Sequence, residues 1–423
     1  MNESILKLID ELKRGQYDIE KIESFTETLR DYTEESDLEL LFVLGDMLMQ
    51  LGDTIHALNI FEYLYSEVGH DDNLLSYIVE IYIVDNRLDD ALLLINDAEK
   101  TPTVLMLKSE LFQQMNLNDV ALKALYEARE LSDDMVIDFA IAELLYYIGD
   151  INDAIRFYQN VLEHDVDKVN NINIHQRLAD IYVNQMDFED ALSHLNQVDE
   201  SEYTNDDFYL KSIIYYYLER YEEAEKTLMK VVSNEPYYTN AYVLLMKVYE
   251  ENYEYDKAYQ LLEDYVVLDK ENANIFYNLG RLAIRLGKVD KANESFRKAT
   301  AIDETYDDAY RILFQNLLTD DTPEDIEHYL PHIDTDNLTP QSLHLLANIE
   351  ALNENDEEAS KYYETAYSYL SDDIDFLYDY YQYLLEIRNP KYLDVLNKLI
   401  KLDSNNTDLA LELERLRGEE DEF

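Results

Sequence analysis

Small residues recur along this chain at a nearly fixed interval, and few folds impose such regularity. Ala57, Ala91, Ala121, Ala154, Ala191, Ala224, Ala258, Ala292 and Ala359 stand 34, 30, 33, 37, 33, 34, 34 and 67 residues apart. The last interval is two periods, with Ile326 as the substitute between them. Four residues after each comes a larger apolar residue: Phe61, Ile95, Leu125, Tyr158, Leu195, Leu228, Leu262, Phe296, Leu330 and Tyr363. Nine before most of them stands another: Leu48, Tyr82, Phe112, Leu145, Tyr182, Tyr215, Tyr249 and Leu317, with Ala283 and Glu350 the weak positions. Such spacing predicts repeated pairs of short amphipathic helices. The alanine lets the two helices approach; the larger residues fill the groove and reach the next pair.

The composition suits that reading. Hydrophobic residues make up 47% of 423, enough to bury a large core, while Gly (8) and Pro (6) are scarce. Gly15, Gly52, Gly149 and Gly287 fall at inter-helix turns, and Gly45 and Gly280 at a small-residue (Leu-Gly) step. Pro102, Pro236, Pro340 and Pro390 fall at element boundaries, where a missing N–H costs least. Pro323 and Pro331 crowd one irregular unit.

The segment Ala273–Ala299 carries Phe276, Leu279-Gly280, Gly287, Ala292, Phe296 and Ala299 in an order that resembles a tetratricopeptide repeat. Segments 38–71, 135–168 and 205–238 are similar, and the resemblance spans about 38–406. It implies an all-α fold: a right-handed α-solenoid superhelix of about eleven to twelve hairpins. The expected divisions are an N-terminal hairpin or cap (1–37), a main array (38–306), more degenerate units (307–406), and a capping helix with an acidic tail fraying from Gly418 (407–423). His175 and Asp138 depart from the pattern where a large apolar residue belongs, and Tyr392 where a small one does.

The resemblance further implies a concave groove lined by the first helices, for a partner peptide or helix. One position past the small-residue step, successive units carry Asp46, Glu80, Glu110, Glu143 and Asp180, then Ile213, Lys247 and Arg281. The five acids make a candidate ladder for a basic segment. Residues 273–302 hold Arg281, Arg285, Lys288, Lys291, Arg297 and Lys298 against Asp290 and Glu294. Some members of the family clamp a partner's terminal carboxylate with Lys, Arg and Asn, and the planar guanidinium fork suits that task. The candidates here are Asn274, Tyr277, Asn278, Arg281 and Arg285, with Arg311 and Lys247. An aromatic stripe is expected from Tyr209, Tyr216 and Tyr217, and from Phe139, Tyr146 and Tyr147.

A net charge of −58 repels nucleic acid and anionic membrane. No cysteine is present, so thiolate chemistry and disulfides are excluded. The histidines are dispersed; His328 and His332 share helical spacing but flank Pro331. Asp320-Asp321 and Asp372-Asp373 lack calcium-loop spacing. No cofactor, metal or catalytic site is expected. The reading is a non-catalytic, cytoplasmic, bacterial scaffold or adaptor without direct membrane insertion, with self-association open through the tail Glu419–Phe423. The alternatives are a peptide-sensing regulator and a non-catalytic subunit of an enzyme or assembly complex.

Overall fold

The computed structural model describes residues 2–69, 71–319, 322–328 and 333–420. His70, Asp320, Asp321, Leu330, Pro331, His332 and the tail residues 421–423 lie outside the described residues. Among those described there are 24 α-helices and one small β-hairpin. They divide into two compact units, Met1–Glu200 and Ser201–Phe423.

The first unit contains α1 (Asn2–Lys13), α2 (Ile19–Thr26), α3 (Glu35–Gln50), α4 (Thr54–Val68), α5 (Asp72–Val84), α6 (Leu88–Asp97), α7 (Pro102–Gln114), α8 (Asn118–Leu131), α9 (Met135–Ile148), α10 (Ile151–Leu162), α11 (Ile174–Asn184) and α12 (Phe188–Leu195). From α3 onward each helix packs on the next, so stacked antiparallel hairpins form the core. Helices α1 and α2 lie on α3 and α4 respectively.

The second unit repeats the scheme with α13 (Asn205–Tyr217), α14 (Tyr221–Asn234), α15 (Thr239–Glu251), α16 (Tyr255–Tyr265), α17 (Ala273–Arg285), α18 (Val289–Ile302), α19 (Asp307–Thr319), α20 (Pro340–Leu352), α21 (Asp356–Leu370), α22 (Ile374–Glu386), α23 (Tyr392–Leu402) and α24 (Thr407–Glu420). Helix α24 packs on α23, and its backbone stays helical through Glu420. The tail expected to fray from Gly418 is therefore helical at residues 418–420; only Gly418 among them is a poor helix former.

The nine periodic alanines are all fully buried, as are Phe61, Tyr158, Leu228, Leu262 and Phe296 four residues on. In ten hairpins the residue nine before the small position accepts, through its backbone carbonyl, the N–H five residues ahead. Examples are Asp53 N to Leu48 O (2.9 Å), Arg87 N to Tyr82 O (2.7 Å) and Lys288 N to Ala283 O (2.8 Å). This is the bond that closes a helix with a left-handed turn residue. Gly52, Gly149 and Gly287 supply that residue in three units. Elsewhere Asn86, Asn116, Met186, Glu219, Tyr253, Glu354 and Arg388 hold the same positive φ. The irregular unit keeps the bond (Thr322 N to Leu317 O, 3.0 Å), and Ile326 is fully buried. A 3-10 segment, Pro323–His328, replaces its second α-helix.

The interval of 37 between Ala154 and Ala191 contains an element that periodicity did not announce. Strands β1 (Lys168–Val169) and β2 (Ile172–Asn173) pair antiparallel around Asn170 and Asn171, both with positive φ. Two left-handed asparagines suit a tight hairpin turn. The departures at Asp138 and His175 are compensated by partners. Asp138, buried, meets Arg129 (2.5 Å) and Asn160 (3.4 Å). His175 faces His194 with their Nδ1 atoms 2.9 Å apart.

Candidate partner-binding faces

In the first unit the acids stand on first helices: Asp46 on α3, Glu80 on α5, Glu110 on α7, Glu143 on α9 and Asp180 on α11. Their fields show how closely they stack. Asp46 and Glu80 both raise the Tyr77 hydroxyl pKa, after burial. Surrounding protein, and then Glu80, push the Glu110 carboxyl above the usual range, although the residue keeps an open edge to solvent. Among the described residues no ion pair reaches Asp46, Glu80 or Glu110; Asp46 accepts only from Gln50 (2.8 Å).

The other two acids are engaged internally. Arg177 binds Glu143 through both oxygens, at 3.0 and 2.9 Å, and the Tyr158 hydroxyl donates to it at 2.5 Å. Asp180 accepts from Tyr146 at 3.2 Å. The five residues therefore align, but only Glu143 meets a cation; Asp180 is held by a neutral hydroxyl, and no ion pair among the described residues reaches Asp46, Glu80 or Glu110.

Two clefts open beside these acids. One of about 450 Å³ has Leu38, Phe42, Leu64 and Tyr77 as walls and Glu35, Glu39 and Asp71 in its lining. Another of about 380 Å³ is lined by Glu110 and Glu143, with Met106, Leu107, Val136 and Phe139. Sequence periodicity named two of these acids but neither cleft. Each cleft is lined mainly by the first helices of two adjacent hairpins, α3 and α5 or α7 and α9, and residue spacing within one repeat does not reveal what meets between repeats.

In the second unit Arg281 and Arg285 reach the same carboxylate, Glu250 on α15, at 3.6 Å each. Asn274 accepts from Asn278 (2.6 Å), and Asn278 accepts from Arg281 (2.9 Å). Asn278 is only 6% exposed, so it orients Arg281 instead of offering its amide to solvent. Arg311 pairs with Asp308 at 2.6 Å. Burial, then Asp308, raises the Tyr277 hydroxyl pKa while Arg281 and Arg311 oppose it, which puts both arginines beside that ring. Tyr306 packs on Tyr277 at 5.2 Å. Lys247 is exposed on α15, and among the described residues no ion pair reaches it.

The six cations of 273–302 do not form one patch. Lys288 lies over the Tyr259 ring (4.1 Å) and Lys298 pairs with Glu294 (2.8 Å) on α18, the second helix of the hairpin.

The aromatic stripe also divides. Successive helical residues point about 100° apart, so neighbours in sequence rarely share a narrow face. Tyr146 is half-buried, Tyr147 is 72% exposed, and Phe139 is buried in the core as a cleft wall, a correction to its expected place on an open stripe. Tyr216 donates to Glu251 (3.3 Å) and meets the exposed Tyr217 edge-on at 5.4 Å. Tyr209, half-buried, packs on Tyr238 at 5.2 Å.

Several known proteins are similar to this chain. A family described as "YpiA-like, tetratricopeptide repeats" matches residues 113–166, and the "Tetratricopeptide repeat" family matches 208–238 and 273–306. The TPR repeat-containing protein YpiA of Bacillus subtilis (strain 168) is 26% identical over 393 residues, covering 90% of this chain and 91% of its own length. Among solved structures, the C-terminal part of a TPR repeat-containing protein from Cytophaga hutchinsonii is 14% identical, with a TM-score of 0.44 over 63% of this chain and 97% of its own. YrrB, described as a TPR protein with an unusual peptide-binding site, is 22% identical, with a TM-score of 0.36 over 43% of this chain and 93% of its own. No described helix is long and apolar enough to cross a membrane. The chain thus carries tetratricopeptide-type repeats where these family models match, and it is similar to YpiA over most of its length.

Proposed function

We propose that this protein is a non-catalytic scaffold or adaptor that holds partner segments on the faces of its first helices. The observation that carries the reading is the uncompensated run Asp46–Glu80–Glu110. Folding brings like charges together there and supplies no cation, so a partner's Lys or Arg gains where the isolated protein loses. The adjoining clefts give such a segment apolar footholds. In the second unit, Arg281 and Arg311 beside Tyr277, with Arg285 one turn from Arg281, suit an acidic segment or a terminal carboxylate. Glu250 at 3.6 Å is a loose occupant that a better-placed carboxylate can displace.

A quantitative pull-down from native lysate tests both surfaces. Wild type is compared with Glu80→Lys/Glu110→Lys and with Arg281→Glu/Arg285→Glu/Arg311→Glu, and captured proteins are identified by mass spectrometry. Each still-folded variant is expected to lose a partner that wild type retains. Identical captures from all three proteins would remove both surfaces from consideration.

A further inference from the structure

A third cleft of the first unit differs from its two acidic clefts in the sign of its charge. It holds about 440 Å³ between α6, α7 and α8, within the ~300–1,000 Å³ range of ligand-holding clefts. Its apolar lining includes Val104, Leu105, Phe112 and Val120. Lys100, Lys108 and Lys123 also line it, with Glu127 as the single carboxylate among the lining residues.

Residues 1–200 hold 43 acidic and only 13 basic side chains, so three cations around one cleft reverse the surrounding field. Glu127 pairs with Lys100 at 2.7 Å. Lys100 first, then Lys123 and Lys108, hold the Glu127 carboxyl below its usual range. Lys108 donates to Asn96 (3.0 Å) and lies 5.9 Å from the Phe112 ring centre. Lys123 is exposed, and among the described residues no ion pair reaches it. One carboxylate thus answers one of three ammonium groups.

We infer that this cleft docks an acidic partner segment carrying a large apolar side chain. The apolar walls take the side chain, and Lys108 and Lys123 take carboxylates on either side of it. The remainder of the unit repels such a segment, so attraction is confined to this cleft. The site lies apart from the acidic run on the first-helix face, and its test stands or falls independently of that run.

The probe is an end-blocked, fluorescein-labelled peptide, Glu-Asp-Glu-Phe-Leu-Asp-Glu, titrated with the full chain by anisotropy at about 0.15 M salt, where the Debye length is ~8 Å. Saturable binding is expected. It should weaken at least about tenfold in Lys108→Ala/Lys123→Ala, and by a similar factor when Ser-Ser replaces Phe-Leu in the probe. Val120→Glu, at a position 43% exposed, should also block it without disturbing the core. Circular dichroism verifies that the variants fold. The absence of saturable binding, or equal affinity in wild type and the lysine variant, overturns the assignment. So does displacement of the probe by inorganic phosphate at equal concentration, which would mark a simple anion site. Concentration-dependent self-association lost in the lysine variant would make a second copy of the chain the occupant, and would equally overturn it.

Discussion

Asp37 sits in the first turn of α3 with 1% exposure and no hydrogen-bond partner for either carboxylate oxygen among the described residues. An unsatisfied buried polar group costs about 1–3 kcal/mol. Asp37→Leu is therefore expected to raise the denaturant midpoint, and an unchanged or lower midpoint would show that the carboxylate has a use in the fold. His175 and His194 behave differently, because each answers the other. Two facing Nδ1 atoms need one donor and one acceptor, so the contact fails when both rings are protonated. Burial lowers both pKa values; His175 adds to the effect on His194, while Asp167 and Asp190 oppose it and Tyr182 stacks on the His194 ring. Between the lowered values and ~6.5 the unfolded chain binds more protons. The pair's contribution is therefore present above ~6.5 and lost as the pH falls below it. Measured at pH 7.5 and 5.5, the unfolding midpoint of wild type should respond more adversely to acid than that of His175→Gln/His194→Gln. The carboxylates titrate alike in both proteins and cancel. Asp138 and His175 were visible in the sequence as exceptions to the apolar pattern. Their partners, Arg129 and His194, were not, because repeat periodicity fixes which positions are buried and leaves open which polar groups meet inside.

At the scale of the hairpin, the repeat was legible because one geometry is repeated. The alanine spacing, the larger residue four positions on and the turn five residues past Leu48, Tyr82 or Leu145 all follow from antiparallel helices closed by a left-handed residue. Gly280 shows the demand most sharply. A Cβ there would stand 2.6 Å from the Phe296 ring, whereas at Gly45 the nearest ring atom of Phe61 would be 3.0 Å away. Alanine gains roughly 0.5–1 kcal/mol in helix propensity over glycine, but overpacking costs about 1–3 kcal/mol. Gly280→Ala should thus destabilise clearly and Gly45→Ala little, a ranking that paired denaturation curves will verify or reverse. The turn residues give the opposite prediction. Met186 holds φ at 62° with its side chain 80% exposed. A left-handed non-glycine costs ~1–2 kcal/mol, so Met186→Gly should stabilise by about 0.5–1 kcal/mol after the entropy of glycine is counted. Sequence reading found the turns that glycine occupies and passed over the seven that Asn, Met, Glu, Tyr and Arg occupy, because a lone Asn is a weaker turn signal than Gly and the other four carry none. The β-hairpin at 168–173 escaped for a related reason: two residues per strand are too few to show a period.

Each unit as a whole presents charge that folding has sorted unequally. The alignment of Asp46, Glu80, Glu110, Glu143 and Asp180 could be read from spacing, but the neutralisation of Glu143 by Arg177 and the hydrogen bond from Tyr146 to Asp180 could not, since each depends on a side chain of the neighbouring repeat. Likewise the basic stretch 273–302 looked like one patch and is two, split between α17 and α18. The uncompensated run is where binding and stability should trade against each other. Because the fold raises the Glu110 pKa, its charge costs more in the folded protein than in the unfolded chain. Glu80→Gln/Glu110→Gln should then leave the melting temperature equal or higher, and the same substitutions should weaken a cationic ligand.

An anisotropy titration of an end-blocked, labelled peptide, Lys-Arg-Leu-Lys-Phe-Arg-Lys, at about 0.15 M salt is the direct test. It compares wild type, Glu80→Gln/Glu110→Gln, and a control, Asp119→Asn/Glu189→Gln, that removes two exposed charges from the second helices α8 and α12. The account predicts at least ~tenfold weaker binding in the first variant, about 1.4 kcal/mol or more, with the control close to wild type. Equal loss in both variants would mean that only net charge attracts the peptide, and would contradict a binding face built from the first helices.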